Sequence, residues 1–219
     1  MIFKGAIFDM DGTLIDSLGF WEVLWEKLGE IYLNDKSFKP TKTDEKCVRT
    51  MTLEGAMNLI HKNYGIGKTH FEVSDFARDL LEWFYKEQVK LKDGAYEYLE
   101  YLKKQGIKMC IASATKPELI KLALENCKLK EFFPQVISCE DVGKGKDEPD
   151  VFLEALKYLG TELSQTVVID DSLTAIKTAE KAGFLTVGVY DKNNFGHEEM
   201  MKIADEFVDN GESLLKLIK

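Results

Sequence analysis

The sequence predicts an α/β protein: a parallel sheet core with helices on both faces, and an all-helical block inserted into it. Three observations predict this. From Leu91 onward, short apolar runs alternate with stretches of helical periodicity, the pattern of a parallel sheet built from strand–helix–strand units. Residues 16–90 carry helical periodicity and no clear strand, so they interrupt that alternation. Three apolar runs stop at polar residues: Asp9 and Asp11, then Ser113, then Asp170 and Asp171. Right-handed crossovers put all strand carboxyl ends on one side of such a sheet, which is where open parallel sheets bind their ligands.

The first strand is the run from Lys4 to Phe8. Alternate strand residues share a face, so Asp9 and Asp11 converge if extended geometry persists, and Gly12 lets the chain turn away. Helical patterning begins near Ser17, with Leu18, Trp21, Leu24, Trp25 and Leu28 on one stripe. Asn34 to Asp44 is polar, holds Pro40 and reads as a loop. A second helical stretch carries Val48, Met51, Met57, Leu59 and Ile60 and is closed by Gly65 and Gly67. A third runs from Phe76 to Val89. Beyond Asp93-Gly94 come a helix over Ala95–Lys104, a strand over Ile107–Ala112, a helix over Pro117–Cys127 and a short strand over Pro134–Ser138. A Gly- and Lys-containing loop, Gly143 to Asp150, leads to a helix over Val151–Leu159. The run Thr166 to Asp171 is a strand, followed by a helix to Ala182 that Ser172 or Thr174 is expected to cap. Leu185–Val189 is a strand, Glu206–Val208 an edge strand, and a helix starts at Ser213. The core is thus a Rossmann-like domain of residues 1–15 and 91–219. The cap is residues 16–90, which leave the functional edge after Thr13 and are expected to lie over it as a lid.

Composition narrows the function. A chain of 219 residues that is 45% hydrophobic and 31% charged suits a soluble domain with a substantial insertion. A net charge of −9 argues against nucleic acid or an anionic membrane as partner, since both need a basic surface. No apolar run is long enough to span a bilayer, and Met1 leads straight into the first strand, so no signal peptide is expected. Cys47, Cys110, Cys127 and Cys139 are scattered and read as reduced thiols in a cytoplasmic protein. His61, His70 and His197 lack the spacing of a zinc site. The expected state is a monomer or weak homo-oligomer.

Two close carboxylates repel unless a proton or cation lies between them, and a hard, oxygen-seeking divalent ion such as Mg²⁺ suits the pair at Asp9 and Asp11. The longer string Asp9-Met10-Asp11-Gly12-Thr13-Leu14, after Ala6-Ile7-Phe8, resembles the first motif of the haloacid dehalogenase-like superfamily. The resemblance then extends along the chain. Ser113 closes an apolar strand as the second motif requires. Lys146, in Gly145-Lys146-Asp147-Glu148-Pro149-Asp150, matches the third, with Asp147 where relatives often place proline. Asp170-Asp171-Ser172 matches the fourth, with Asp170 where relatives often have the longer glutamate. The helical insertion between the first two motifs is similar to the cap of the β-phosphoglucomutase and phosphonatase branch.

The resemblance implies a role for each residue. Asp9 is the nucleophile that forms an aspartyl-phosphate. Asp11 is the general acid and then the base. Ser113 and Lys146 hold the phosphoryl oxygens. Mg²⁺ is held by Asp9, the main-chain carbonyl of Asp11, Asp171 and Asp170, the last directly or through water. Taken singly, Ser113 reads as an ordinary strand-end hydroxyl, Lys146 as a solvated lysine and the later aspartates as helix caps. Their order and their place at strand ends favour a site. Arg49 and Lys62 are candidate substrate contacts, though solvated charges fit them better, and Phe20, Trp21 and Trp25 read as cap core.

The expected activity is a Mg²⁺-dependent phosphatase acting on a small phosphorylated metabolite. The alternatives are a β-phosphoglucomutase-like sugar phosphomutase and a non-catalytic binding protein on the same scaffold. Mutase-like relatives tend to carry a histidine early in the first cap helix; here Gly19-Phe20-Trp21 stands there, which favours the phosphatase.

Overall fold

The computed structural model describes residues 2–48 and 51–218. In chain order, strand β1 (Gly5–Phe8) is followed by helices α1 (Phe20–Leu28), α2 (Lys42–Val48), α3 (Leu53–Tyr64) and α4 (His70–Trp83). Then come α5 (Ala95–Lys104), β2 (Lys108–Ser113), α6 (Pro117–Asn126), β3 (Val136–Ser138) and the one-turn α7 (Cys139–Val142). The chain ends through α8 (Asp150–Leu159), β4 (Thr166–Asp170), α9 (Leu173–Ala182), β5 (Leu185–Val189), α10 (His197–Ile203) and β6 (Glu206–Val208). Contacts divide it into two compact units, one running through Leu18 and resuming at Val89, the other Gly19–Gln88.

The first unit is built on six parallel strands in the order β3-β2-β1-β4-β5-β6. β1 is central and entirely buried because both of its faces are covered, which explains an unbroken apolar run where a half-exposed strand would alternate. One face carries Ile7, Cys110 and Val168, packed with Val151, Phe152 and Ala155 of α8 and Ala175 and Ala179 of α9. On the other face the Phe8 ring meets Tyr98 and Phe133 edge-on, at centroid distances of 6.3 and 5.8 Å. Gly188 sits in β5 for lack of room. A Cβ there would lie 2.6 Å from Met200 Sδ of α10 and 2.7 Å from Phe207 Cδ2 of β6.

Among its described residues the second unit holds helices and no strand. Phe20, Leu24, Trp25 and Leu28 are the buried face of α1. Phe20 packs on Phe84 at 5.5 Å and Trp21 on Trp25 at 5.4 Å, so these aromatics build a core. The helices differ from expectation at their ends. α2 begins inside the segment read as a loop, with Thr41 Oγ1 accepting the Asp44 N–H at 3.2 Å. α4 starts at His70 because Thr69 caps it, accepting the Glu72 N–H at 3.2 Å, and five residues of π-helix, Phe84–Gln88, follow it. α1 begins at Phe20, three residues past Ser17, whose hydroxyl is committed to Asp11. In the first unit, α10 was not legible in the sequence, and the helix expected from Ser213 is a single 3₁₀ turn, Leu214–Leu217. No described helix is long and apolar enough to cross a membrane.

Gly188→Ala should destabilise the fold by about 1–3 kcal/mol through overpacking against α10 and β6. The shift of the urea unfolding midpoint measures it; an unchanged midpoint would mean that this contact is slack.

Candidate active site

Strand register builds the site. Phe8 is aligned with Ile169 on one side and Ile111 on the other. One step further, Asp9 and Asp170 leave neighbouring strands side by side, and Ser113 ends the strand on the other flank. The Asp9 N–H still bonds to the Ile169 carbonyl at 2.9 Å, so the sheet holds the first carboxylate directly. Beyond it the chain turns back. The N–H groups of Leu14 and Ile15 both reach the Met10 carbonyl, at 2.9 and 3.0 Å. Gly12 carries φ +84°, and a Cβ on it would lie 2.3 Å from Asp171 Oδ2. That position therefore needs glycine twice, for its dihedral and for the carboxylate resting over it.

β1 ends at Phe8, before both aspartates, and the expectation that Asp9 and Asp11 converge is not met. Oxygens of Asp9, Asp170 and Asp171 lie within 4.8 Å of one another, all three residues buried, and the Asp11 carboxylate is not among them. It is received by two hydroxyls: Ser17 Oγ donates to Oδ1 at 2.5 Å and Thr115 Oγ1 to Oδ2 at 2.7 Å. The two aspartates of the first motif thus occupy different chemical environments. A metal contact by Asp11 would be made through its main chain.

Lys146 is the cation of the cluster. Its ammonium bonds to Asp9 Oδ1 and, at 2.8 Å, to Asp170 Oδ2. Asp170 Oδ1 accepts the Ser172 N–H at 2.8 Å, so the carboxylate, with no side-chain cap from Ser172, satisfies the start of α9. Asp171 Oδ1 accepts from Thr13 Oγ1 at 3.3 Å, and Oδ2 accepts from Asn194 Nδ2 at 2.9 Å. Ser113 is buried, and its oxygen accepts the Thr115 N–H at 3.1 Å, leaving its own proton to donate. Asp147 is exposed, so its charge faces solvent. Lys62 is also exposed, and Arg49 lies outside the described residues.

The electrostatics follow. Burial raises the Asp9 pKa well above the usual carboxylate range; Lys146 opposes this, and Asp170, Asp171 and Asp11 reinforce it. Asp171 is pushed up to about 7, by burial and Asp170, against the Asn194 hydrogen bond and Lys146. Burial works against the charge of Lys146, but Asp170 and Asp9 outweigh it and raise its pKa. Three carboxylates face one ammonium. The excess negative charge and the all-oxygen donor set fit a hard divalent cation, which Asp9, Asp170 and Asp171 could hold.

Sequence reasoning did not assign roles to Ser17, Thr13 or Asn194. Thr13 stood inside the motif, but its hydroxyl's partner is distant in the chain. Asn194 follows a predicted strand whose carboxyl end faces the same edge, and that position was the available signal.

A parallel sheet with buried carboxylates and a lysine at its carboxyl edge is the frame of an α/β enzyme. The haloacid dehalogenase-like hydrolase family profile matches residues 6–189. The chain belongs to that family. A provisionally assigned pyrophosphatase of Caldanaerobacter subterraneus is 32% identical over 144 residues, 65% of this chain and 64% of the relative. A phosphorylated carbohydrates phosphatase of Thermotoga maritima is 22% identical over 218 residues, 99% of this chain and 98% of the relative. The crystal structure of a provisionally assigned β-phosphoglucomutase from Thermotoga maritima superposes with a TM-score of 0.81 over 94% of each chain at 23% identity, a likeness of fold. Family and relatives together make the chain a phosphoric monoester hydrolase.

Raised carboxylate pKa values have a cost in stability. A group whose folded pKa lies above its unfolded value is most favourable when protonated, and that contribution is lost as pH rises through the folded value. For Asp171 the window runs from its ordinary 3.8 to about 7. With divalent ions chelated, the wild type should therefore lose stability from pH 4 to 7, and Asp171→Asn should lose about 3 kcal/mol less over that range. Urea unfolding in EDTA at both pH values measures this; parallel pH slopes would refute it.

Proposed function

We propose that the protein is a Mg²⁺-dependent phosphatase that hydrolyses a small phosphorylated metabolite through an aspartyl-phosphate on Asp9. The observation that carries the reading is the separation of the two motif aspartates: Asp9 touches Lys146 inside the acidic cluster, and Asp11 is held outside it by Ser17 and Thr115. A nucleophile and an acid–base group need such different surroundings: burial raises the Asp9 pKa, so its reactive carboxylate form depends on Lys146 and a bound cation beside it, whereas Asp11 exchanges its proton outside the cluster.

In the first step an Asp9 carboxylate oxygen bonds to phosphorus as the bond to the leaving oxygen breaks, and Asp11 gives that oxygen its proton. In the second, Asp11 takes a proton from water as the water oxygen attacks phosphorus, which frees phosphate and restores the Asp9 carboxylate. Ser113 donates to a phosphoryl oxygen. Lys146 sets a fixed positive charge where negative charge spreads in the transition state. Asp9, the main-chain carbonyl of Asp11, Asp170 and Asp171 would hold Mg²⁺, which when bound offsets the repulsion between carboxylate and phosphoryl group.

Core residues 1–15 and 91–219 carry the chemistry in this reading, and the helical insertion, residues 16–90, selects the substrate. Phosphorylated sugars come first as a class, because the full-length Thermotoga relative is named for them. The four cysteines form no disulfide, which supports a cytoplasmic location. The net charge of −9 argues against nucleic acid, and the working form is a monomer or weak homo-oligomer.

Release of phosphate from p-nitrophenyl phosphate, and from a panel of sugar phosphates, pyrophosphate, nucleotides and phosphorylated organic acids, should require Mg²⁺ and stop in EDTA. Glucose 1-phosphate should yield phosphate and glucose, with no isomerised sugar phosphate. Asp9→Asn should abolish turnover in a folded protein, and Asp11→Asn should slow it by about 10²–10⁴-fold. Near-normal rates in Asp9→Asn would refute the nucleophile, and full activity in EDTA would refute the metal.

A further inference from the structure

The loop after β5 is anchored at its start and touches the acidic cluster near its end. Asp191 is the anchor. It is 1% exposed; its Oδ2 accepts from Lys92 Nζ at 2.6 Å and its Oδ1 accepts the Asn193 N–H at 2.8 Å. Lys92 is itself fixed, since its backbone N–H donates to the Leu14 carbonyl at 2.9 Å. The Asp191 carbonyl accepts the Asn194 N–H at 3.0 Å. Asn194 Oδ1 accepts the Phe195 N–H at 3.0 Å, which orients the amide. Its Nδ2 then donates to both the carbonyl and the Oδ2 of Asp171, at 3.1 and 2.9 Å.

From this arrangement we infer that Asn194 is a positioning residue for Asp171, and that the half-buried Lys92–Asp191 pair holds the loop that presents it. The inference rests on the reading of Asp171 as a metal ligand. A carboxylate swings about its terminal torsion unless both oxygens are engaged. Here Thr13 engages Oδ1 and Asn194 engages Oδ2, which leaves further lone pairs for a cation. The donor is an amide for an electrostatic reason. A lysine at this place would neutralise Asp171 and repel a divalent ion, whereas an amide orients the carboxylate without adding charge. Partners of this kind outside the ligand shell typically change metal affinity 10- to 100-fold.

Isothermal titration of Mg²⁺ into the substrate-free, full-length protein tests it. Asn194→Ala should weaken Mg²⁺ binding about 10-fold or more. Asn193→Ala is the control within the same loop: Asn193 Nδ2 is buried without a partner, so its removal should leave affinity within about twofold. Lys92→Met should weaken Mg²⁺ binding and lower the melting temperature, and Lys92→Arg should restore both. Loss of binding in Asp171→Ala with wild-type affinity in a folded Asn194→Ala would overturn the role of Asn194 and leave the metal reading standing. Equal losses in Asn193→Ala and Asn194→Ala would assign the effect to loop order and overturn it as well. Wild-type affinity in Asp171→Ala would overturn both readings together.

Discussion

The structure depends on a charge imbalance that the sheet forces at its carboxyl edge. Asp9, Asp170 and Asp171 are buried side by side, with the ammonium of Lys146 against two of them. Burial makes Asp9 and Asp171 costly to ionise, and the neighbouring carboxylates add to the cost. No packing requirement calls for such a group of charges. It is tolerated because the surrounding fold is over-determined: β1 has neighbours on both edges and apolar layers on both faces. The stability spent here is the usual mark of a site held ready for a ligand that supplies the missing positive charge.

Positioning is shared between the sheet and the turns that leave it. Backbone pairing sets Asp9 and Asp170 beside each other, and a strand ladder is rigid on the scale that chemistry needs. The Asp11 carboxylate is set by two hydroxyls, Ser17 and Thr115, from segments far apart in sequence. Asp171 is set by Thr13 and Asn194, again from two separate segments. Each acidic group therefore rests on partners from more than one element, so the arrangement exists only when the whole sheet is assembled.

Much of this was legible in the sequence, and the reasons differ by element. β1, β2, β4 and β5 were readable because buried parallel strands are continuous apolar runs with polar stops. α5 was readable from its periodicity between Gly94 and Gly106. α10 was not, because only Met200 of its seven residues is buried, which leaves too little apolar pattern to detect. The early start of α4 was missed because its first buried residues, Val73, Ser74 and Ala77, are small or polar, and the sequence signal came from the larger half-buried Phe76 and Leu80.

The sequence by itself determined the fold class, the strand ends that carry chemistry and the identity of the acidic residues, because these are properties of local pattern and covalent order. The motif resemblance already grouped Asp9 with Asp170 and Asp171; only the tertiary structure decided that the Asp11 carboxylate stands apart from them. Alternation along an extended strand paired Asp9 with Asp11, but the strand ends at Phe8, before either aspartate. The neighbours of Asp9 are instead residues more than 130 positions away, brought there by parallel pairing of β1 with β4 and by the reach of Lys146. Long-range proximity depends on register and burial, and no local signal encodes either.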